Sequence, residues 1–197
     1  MDGSIYEYQP SFILGFHGCD KEVGESILSG AKKHLKPSEK KWDWLGHGIY
    51  FWEGNLARAW EWAADREKEG KIKTPFVLGA IIDLRHCLDL FDLSAMQQVQ
   101  WAYRATCATV RLSGEELPKN VGKTPDKAGR GLDCMVLNNL HKIREETKQI
   151  AYDSVRGPFL EGEPIYDTAG FRSHSHIQIC VRSTDCIKGY FRPISAN

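Results

Sequence analysis

The chain lacks the cysteine patterns that build metal sites or disulfide frameworks. Its six cysteines are scattered along 197 residues and include no Cys-x-x-Cys pair. They are Cys19, Cys87, Cys107, Cys134, Cys180 and Cys186. Closely spaced cysteine pairs are typical of zinc sites, and dense cysteine frameworks are typical of small secreted domains. We therefore predict reduced, buried thiols and no bound metal.

A segment for secretion or membrane insertion is lacking too. Residues 1–5 (MDGSI) contain neither the basic n-region nor the apolar h-region of a signal peptide. No apolar run approaches the roughly 20 residues that a transmembrane helix needs. We expect a cytoplasmic protein with no membrane partner.

The chain also lacks an excess of charge of either sign, because 26 basic residues balance 26 acidic ones. A neutral total argues against a protein that coats nucleic acid non-specifically. Two lysine-rich segments, 31–41 and 117–131, are local basic patches that could attract RNA or DNA through phosphate contacts, or could be solvated loops. Both interpretations stay open.

Apolar residues are present in ordinary amount, 42% of a chain long enough to bury one core. We predict a single domain, 1–197. Apolar runs and helical periodicity predict strands at 11–16, 48–52 and 75–84, and helices at 20–28, 55–70, 94–112 and 132–148. Later strands are predicted at 150–152, 157–160, 174–181 and around residue 190. Strands interleaved with helices early and clustered late favour the α+β class.

Two glycine-containing motifs are the most informative feature of the sequence. His17-Gly18 ends an apolar run, and Gly46-His47-Gly48-Ile49-Tyr50-Phe51 follows after a helix and a lysine-rich loop. A helical segment with small and aromatic residues comes next, at 55–63. In this order, the motifs resemble the ADP-ribosyltransferase superfamily, in the His–Tyr–Glu branch of poly(ADP-ribose) polymerases and diphtheria-type toxins.

The resemblance implies roles for the motif residues. His17 would hydrogen-bond a ribose hydroxyl of NAD, since imidazole offers one donor and one acceptor. Gly18 would let the backbone approach the nicotinamide carboxamide. Tyr50 would stack on the nicotinamide ring, and Trp62 or Trp60 would supply a second aromatic wall. Gly48, from the second motif, is counted with the NAD-binding residues.

The resemblance also implies a fold and a reaction. The fold would be α+β, with two small antiparallel sheets packed around an NAD cleft and flanked by helices. NAD would be a substrate: its nicotinamide–ribose bond would be cleaved through an oxocarbenium-like state, as in glycoside cleavage. The protein would then be a glycosyltransferase that moves ADP-ribose to an acceptor.

The third position of the triad departs from the family, which has a glutamate on a late strand. Alternation in 175–181 places Ile177, Ile179 and Val181 on one face, with His174, His176, Gln178 and Cys180 on the other. Aligned with the family's last motif, Gln178 takes the glutamate's place. A glutamine cannot supply a carboxylate's charge. Transfer of a single ADP-ribose is therefore expected rather than polymerisation.

A carboxylate from the preceding loop could compensate for the missing glutamate. Glu161 and Glu163 lie shortly before the strand, and either could orient or deprotonate a nucleophile, or both could form a solvated turn. Arg58 stands near the position of a nicotinamide-contacting serine in the polymerases. His174-x-His176 has metal-ligand spacing but no third ligand at a suitable distance in the sequence, so we predict no metal there.

The resemblance suggests a stand-alone bacterial toxin, of a toxin–antitoxin or phage-defence system, with a neutralising protein partner. The acceptor would be a protein or RNA or DNA. One alternative is a non-catalytic module or pseudoenzyme that binds NAD or ADP-ribose and acts through protein contacts. An RNA 2′-phosphotransferase is a weaker alternative, because the basic cleft residues of that class are not evident.

Overall fold

The structure, a computed structural model, describes residues 8–122 and 129–194. In these ranges the α-helices are α1 (Lys21–Leu28), α2 (Leu56–Lys68), α3 (Leu93–Ser113) and α4 (Gly131–Glu146). The strands are β1 (Tyr8–Asp20), β2 (Ile49–Glu53), β3 (Pro75–Asp89), β4 (Asn120–Val121), β5 (Gly129–Arg130), β6 (Ser154–Phe159), β7 (His176–Val181) and β8 (Ile187–Phe191). The predicted α+β class is confirmed.

Six of these strands form one mixed sheet in the order β1-β2-β7-β6-β3-β8. Strand β1 also pairs with β3, so the first five strands close into a ring and β8 extends it at β3. The β3–β6 pair is parallel and the other pairs are antiparallel. The ring brings β1, β2 and β7, the three strands of the motif residues, side by side.

The expected division into two small antiparallel sheets was wrong for the described residues. Strand β1 has 13 residues and β3 has 15, longer than predicted from the apolar runs. Strands of this length pair along one part with one neighbour and along another part with a second neighbour. The hydrogen-bonded ladder of the six strands is therefore continuous, and β4 and β5 form a separate two-stranded antiparallel sheet.

Capping side chains fix the starts of three helices. Asp20 accepts from the backbone N–H of Glu22, Asn55 from that of Arg58, and Asp92 from those of Ser94 and Ala95. Short side-chain acceptors at this position satisfy N–H groups that the first helical turn leaves free. The cap at Asn55 sets where α2 begins and hence which of its side chains face β2.

The β2–β7 pair has two different faces. Tyr50 lies opposite Cys180, and Trp52 lies opposite Gln178. The intervening residues, Phe51 and Ile179, are fully buried in an apolar core that also contains residues of β1, β3 and α1. The alternation predicted for β7 is confirmed at Ile179 and Val181, which belong to this core.

Three further sequence predictions can be compared with the structure. The six cysteines are unbridged and most are buried. No helix among the described residues is long and apolar enough to span a membrane. The strand predicted at 150–152 was wrong, because the chain leaves α4 through Lys148, whose φ is positive, and β6 begins only at Ser154.

Candidate functional site

The second face of β2, β7 and β6 carries a cluster of rings that we call the aromatic face. Trp52, Gln178 and Gly157 lie in one row across the three strands, and His176 lies beside Phe159 in the next. The imidazole of His176 stacks on the ring of Phe159 with centroids 5.4 Å apart and lies 6.2 Å from the ring of Trp52. Side chains at every second position of adjacent strands produce this arrangement.

Two further tryptophans extend the aromatic face. Trp44 lies 5.0 Å from Phe159, and Trp62 of α2 lies 5.7 Å from Trp52. A Cβ on Gly157 would come within 3.1 Å of the Trp44 ring, so the glycine makes room for that indole. Of the two tryptophans of α2, Trp60 is 43% exposed, whereas Trp62 packs against the cluster that contains Trp52, and their predicted role as an aromatic wall stays a prediction.

Gln178 lies on the aromatic face, as alternation predicted, but its amide oxygen is already in use. That oxygen accepts a hydrogen bond of 2.6 Å from the indole N–H of Trp44. The amide nitrogen makes no hydrogen bond to another described residue. Gln178 therefore holds Trp44 in place, and its amide group keeps two donors and one further acceptor lone pair.

Glu161 belongs to a charged network between α2 and the loop that precedes β7. Its carboxylate accepts from Arg58 at 2.8 Å and lies 3.8 Å from Nδ1 of His176. Arg58 also bonds Glu61 at 3.2 Å, and Glu61 lies 2.9 Å from Nε2 of His174. The Arg58 side chain is only 13% exposed, so its pairing with Glu161 is less screened than that of a surface pair.

Glu163 is not part of this network. Its backbone carbonyl accepts from the N–H of Ser173, but its carboxylate has no ion pair or hydrogen bond with another described residue, and it is exposed. Of the two loop glutamates, only Glu161 therefore reaches the aromatic face. The same loop carries exposed apolar side chains at Ile165, Tyr166 and Phe171.

His17 lies on the neighbouring strand with one ring nitrogen free to act as an acceptor. Its Nδ1 donates to the carbonyl of Tyr50 at 2.7 Å, which leaves the lone pair on Nε2. Burial lowers the pKa of His17, so the ring is neutral at pH 7. Strand β2 separates His17 from Gln178, so two strand spacings, about 10 Å, lie between their backbones.

Past Phe16, strand β1 no longer pairs with β2 and keeps only β3 as its strand neighbour among the described residues. Helix α2 covers this segment closely. A Cβ on Gly18 would lie 2.6 Å from the carbonyl oxygen of Ala59 and 2.9 Å from the Trp62 ring. The close approach of α2 thus requires a glycine here, whether or not a ligand also uses the backbone.

Gly48 has a packing reason of the same kind. A Cβ there would lie 2.5 Å from the sulfur of Cys180 and 2.6 Å from the carbonyl oxygen of Val181. The glycine therefore lets β2 start directly against β7. The geometry explains both motif glycines by backbone approach, and the predicted contact of either with NAD stays a prediction.

Tyr50 uses its hydroxyl inside the protein. The hydroxyl donates to the carbonyl of Gly46 at 2.7 Å and accepts from the N–H of Leu45 at 2.9 Å, so it fixes the turn before β2. Burial raises the pKa of Tyr50 well above its usual value. The ring packs against the core formed by β6, α3 and α4, and its predicted stacking on nicotinamide stays a prediction.

Three buried nitrogens around the aromatic face have no hydrogen-bond partner among the described residues. They are Nε1 of Trp52, Nε of Arg58 and Nε2 of His176. Leaving a buried polar group unpaired costs about 1–3 kcal/mol. Folded proteins keep few such groups, and those that persist at one place indicate a bound ligand, a water or a catalytic role. Sequence reasoning singled out none of the three nitrogens.

A metal centre is not indicated. The described residues contain no cluster of three or more His, Cys, Asp or Glu side chains that could hold a metal ion. Nδ1 of His176 donates to the carbonyl of His174, and both ring nitrogens of His174 contact Glu61 or Ser173.

Comparison with known proteins leaves the family open. No protein-family model matches the chain, and no solved structure matches it. The chain is 24% identical over 188 residues to the uncharacterized protein MJ0359 of Methanocaldococcus jannaschii, an alignment that covers 88% of this chain and 83% of the archaeal protein. The similarity extends over nearly the whole length of both chains and names no activity.

Proposed function

We propose that the protein is an NAD-dependent mono-ADP-ribosyltransferase with an ADP-ribosyltransferase-like fold. The observation that carries the proposal is the order β1-β2-β7, which makes neighbours of the strand of His17 and Gly18, the strand of Tyr50, and the strand of Gln178. The sequence motifs are far apart along the chain. Their strands lie side by side in the sheet, as an NAD site of this branch requires, and the imidazole of His17 lies 5.8 Å from the ring of Phe51.

Neutral His17 supports the binding of a ribose. Its Nε2 is an acceptor held in direction by the Nδ1 bond to the Tyr50 carbonyl. Because the ring is neutral, a hydroxyl of NAD can donate a hydrogen bond to this nitrogen. Trp62, between Gly18 and Trp52, offers the aromatic surface on which a nicotinamide ring would lie.

Glu161 supports the cleavage and transfer steps. A developing oxocarbenium ion is stabilised by a nearby anion, and β7 carries none at Gln178. The carboxylate of Glu161 is the one that reaches the aromatic face, through Arg58 and His176. Released from Arg58, it could accept the proton of an attacking acceptor hydroxyl or amine.

The acceptor follows as part of the same proposal and is a protein or a nucleic acid. The exposed apolar side chains at 165–171 favour a protein surface, and the lysine-rich segment 31–41 favours a polyanion. Lys123 and Lys127 of the second basic segment lie outside the described residues. A toxin role, a neutralising partner and a cytoplasmic location remain predictions from the resemblance.

A second candidate, a non-catalytic module that binds NAD or ADP-ribose, is favoured by one observation. The Arg58–Glu161 ion pair neutralises the available carboxylate at the aromatic face. If this pair persists with ligand bound, the site holds the dinucleotide without cleaving it.

Transfer of label from adenylate-labelled NAD tests the proposal. The native chain, His17→Ala and His34→Ala are each incubated in a lysate supplemented with RNA and DNA, and the labelled fraction is identified. His34 is a matched control because its ring contacts Tyr190 rather than the aromatic face. We expect label on one acceptor class with the native chain and His34→Ala only. NAD binding without any transfer would instead support the binding module.

A further inference from the structure

The side chains of Trp52, Arg58 and His176, each of which has an unpartnered nitrogen, are neighbours at the aromatic face. The rings of Trp52 and His176 are 6.2 Å apart between centroids. Nη2 of Arg58 and Nδ1 of His176 both lie within 4 Å of the same oxygen of Glu161. The unpartnered nitrogens belong to side chains of β2, α2 and β7, three separate elements that meet here.

Their hydrogen-bonding character defines the group that fits. The indole N–H of Trp52 and the Nε–H of Arg58 can only donate. Nδ1 of His176 donates to the carbonyl of His174, so Nε2 is the acceptor of the neutral ring. A complementary ligand therefore offers acceptor oxygens to two donors and one donor to an acceptor. A cis-diol, in which each hydroxyl both donates and accepts, has this combination.

We propose that Trp52, Arg58 and His176 form a subsite for a ribose diol, and that His176, not Gln178, contacts the reacting ribose of NAD. This inference rests on the proposed function, in which the nicotinamide–ribose bond of NAD is cleaved beside β7. Gln178 is less suited because its amide oxygen is engaged by Trp44. His176 stands two residues earlier on the same face of β7.

Glu161 controls access to the subsite. The His176 side chain is 2% exposed and that of Arg58 is 13% exposed, whereas Glu161, which contacts both, is 31% exposed. Glu161 is therefore the member of the group that borders solvent. Entry of a ribose separates Glu161 from Arg58, which also frees the carboxylate for the acceptor.

The indole resonances of the full chain, labelled with ¹⁵N at tryptophan, test the subsite. The six tryptophans give separate indole N–H signals, which single Trp→Phe variants assign. NAD, ADP-ribose and nicotinamide are titrated separately, and nicotinamide release is followed in the same NAD sample. Trp42, which is exposed, is the matched control.

We expect the Trp52 signal to shift with NAD and ADP-ribose, saturably, and not with nicotinamide, while Trp42 stays unchanged. A shift with nicotinamide alone would overturn the assignment to ribose. Nicotinamide release without a change at Trp52 would overturn the subsite and leave the proposed function standing. The absence of both binding and release would overturn the two together.

Two variants of His176 add a second readout. His176→Gln keeps an acceptor oxygen near the position of Nε2, and His176→Leu removes it. We expect nicotinamide release to fall about 100-fold in the Leu variant, the loss typical of one transition-state hydrogen bond, and less than about 10-fold in the Gln variant. Equal losses would assign His176 a structural role only. The position of the Trp52 signal without ligand shows whether each variant is folded.

Discussion

The two faces of the β2–β7 pair differ in the polarity of their buried side chains, although they share one backbone. On one face Phe51 and Ile179 are completely buried, have apolar side chains and, with Leu78 of β3, fill the core. On the other face Trp52 and His176 are also buried, yet each keeps a nitrogen without a partner. The first face stabilises the folded chain by apolar burial. The second face keeps polar groups without hydrogen-bond partners, which a bound ligand could supply.

The difference indicates where in the molecule function lies. A core is explained by packing alone, so its residues say little about activity. Buried polar groups without partners oppose folding, and their persistence needs another reason. The predictions that follow test this contrast, from the largest expected effect to the smallest.

Phe51→Ala tests the apolar face. We expect a loss of about 3–5 kcal/mol in the free energy of unfolding, because removing a fully buried ring forfeits its transfer energy and leaves a cavity. Urea denaturation measures it. Phe12→Ala is the matched control, since Phe12 is 65% exposed and the change there should lie within about 0.5 kcal/mol. Similar losses at both positions would refute the assignment of the core.

Gly18→Ala tests the closeness of α2 to β1. The new methyl group would meet the carbonyl of Ala59 and the ring of Trp62, so we expect a loss of about 1–3 kcal/mol from overpacking. Gly170→Ala is a suitable control, because a Cβ there would meet nothing within 4 Å. A stability equal to that of the control would show that α2 is free to move away.

His141 tests what unpartnered nitrogens cost on the aromatic side of the sheet. Both of its ring nitrogens lack a partner among the described residues, and burial lowers the pKa of His141 to about 3. Below pH 6.5 the imidazole of His141 binds a proton in the unfolded chain but stays unprotonated in the folded chain. As the pH is lowered from 6.5 to 3, the free energy of unfolding should therefore decrease, by up to about 1.4 kcal/mol per pH unit from this group.

Urea titrations of the native chain and His141→Leu at pH 7 and pH 5 measure this contribution. The variant should lose less stability between the two values than the native chain. An identical pH dependence in both would mean that His141 is protonated as easily in the folded state as in the unfolded one.

His176→Leu should have the smallest effect on stability and a large one on activity. The variant loses the bond from Nδ1 to the His174 carbonyl but also removes an unpartnered buried nitrogen. These effects oppose each other, so we expect the free energy of unfolding to change by less than about 1 kcal/mol. A loss as large as that of Phe51→Ala would make the aromatic face a second structural core.

Local patterns predicted much of the fold. The helices near 20–28, 55–70, 94–112 and 132–148 followed from periodicity and caps, and each is present within a few residues. The lengths of β1 and β3 were underestimated, because the ends of both strands are less continuously apolar and are held by pairing with distant strands. Closure of the sheet depends on those ends, so it could not be predicted from local patterns.

The sequence predicted which side chains of β7 share a face, but not which of them has an unpartnered nitrogen. Alternation correctly put His176 and Gln178 together, yet it does not tell which of the two is engaged by Trp44, 134 residues away from Gln178. The contact between Arg58 and Glu161 spans 103 residues and has no signal in a single sequence. Position-by-position alignment to the motif favoured Gln178, and only the unpartnered nitrogen draws attention to His176.

Release of nicotinamide from NAD by the purified chain is the most direct test of the central claim, that strands β1, β2 and β7 carry an NAD-cleaving site that includes His17. The native chain and His17→Ala are compared at equal concentration of folded protein. We predict release by the native chain and a rate at least about 100-fold lower for the variant, as for loss of one transition-state contact. No release by the native chain, or equal release by both, would contradict the account.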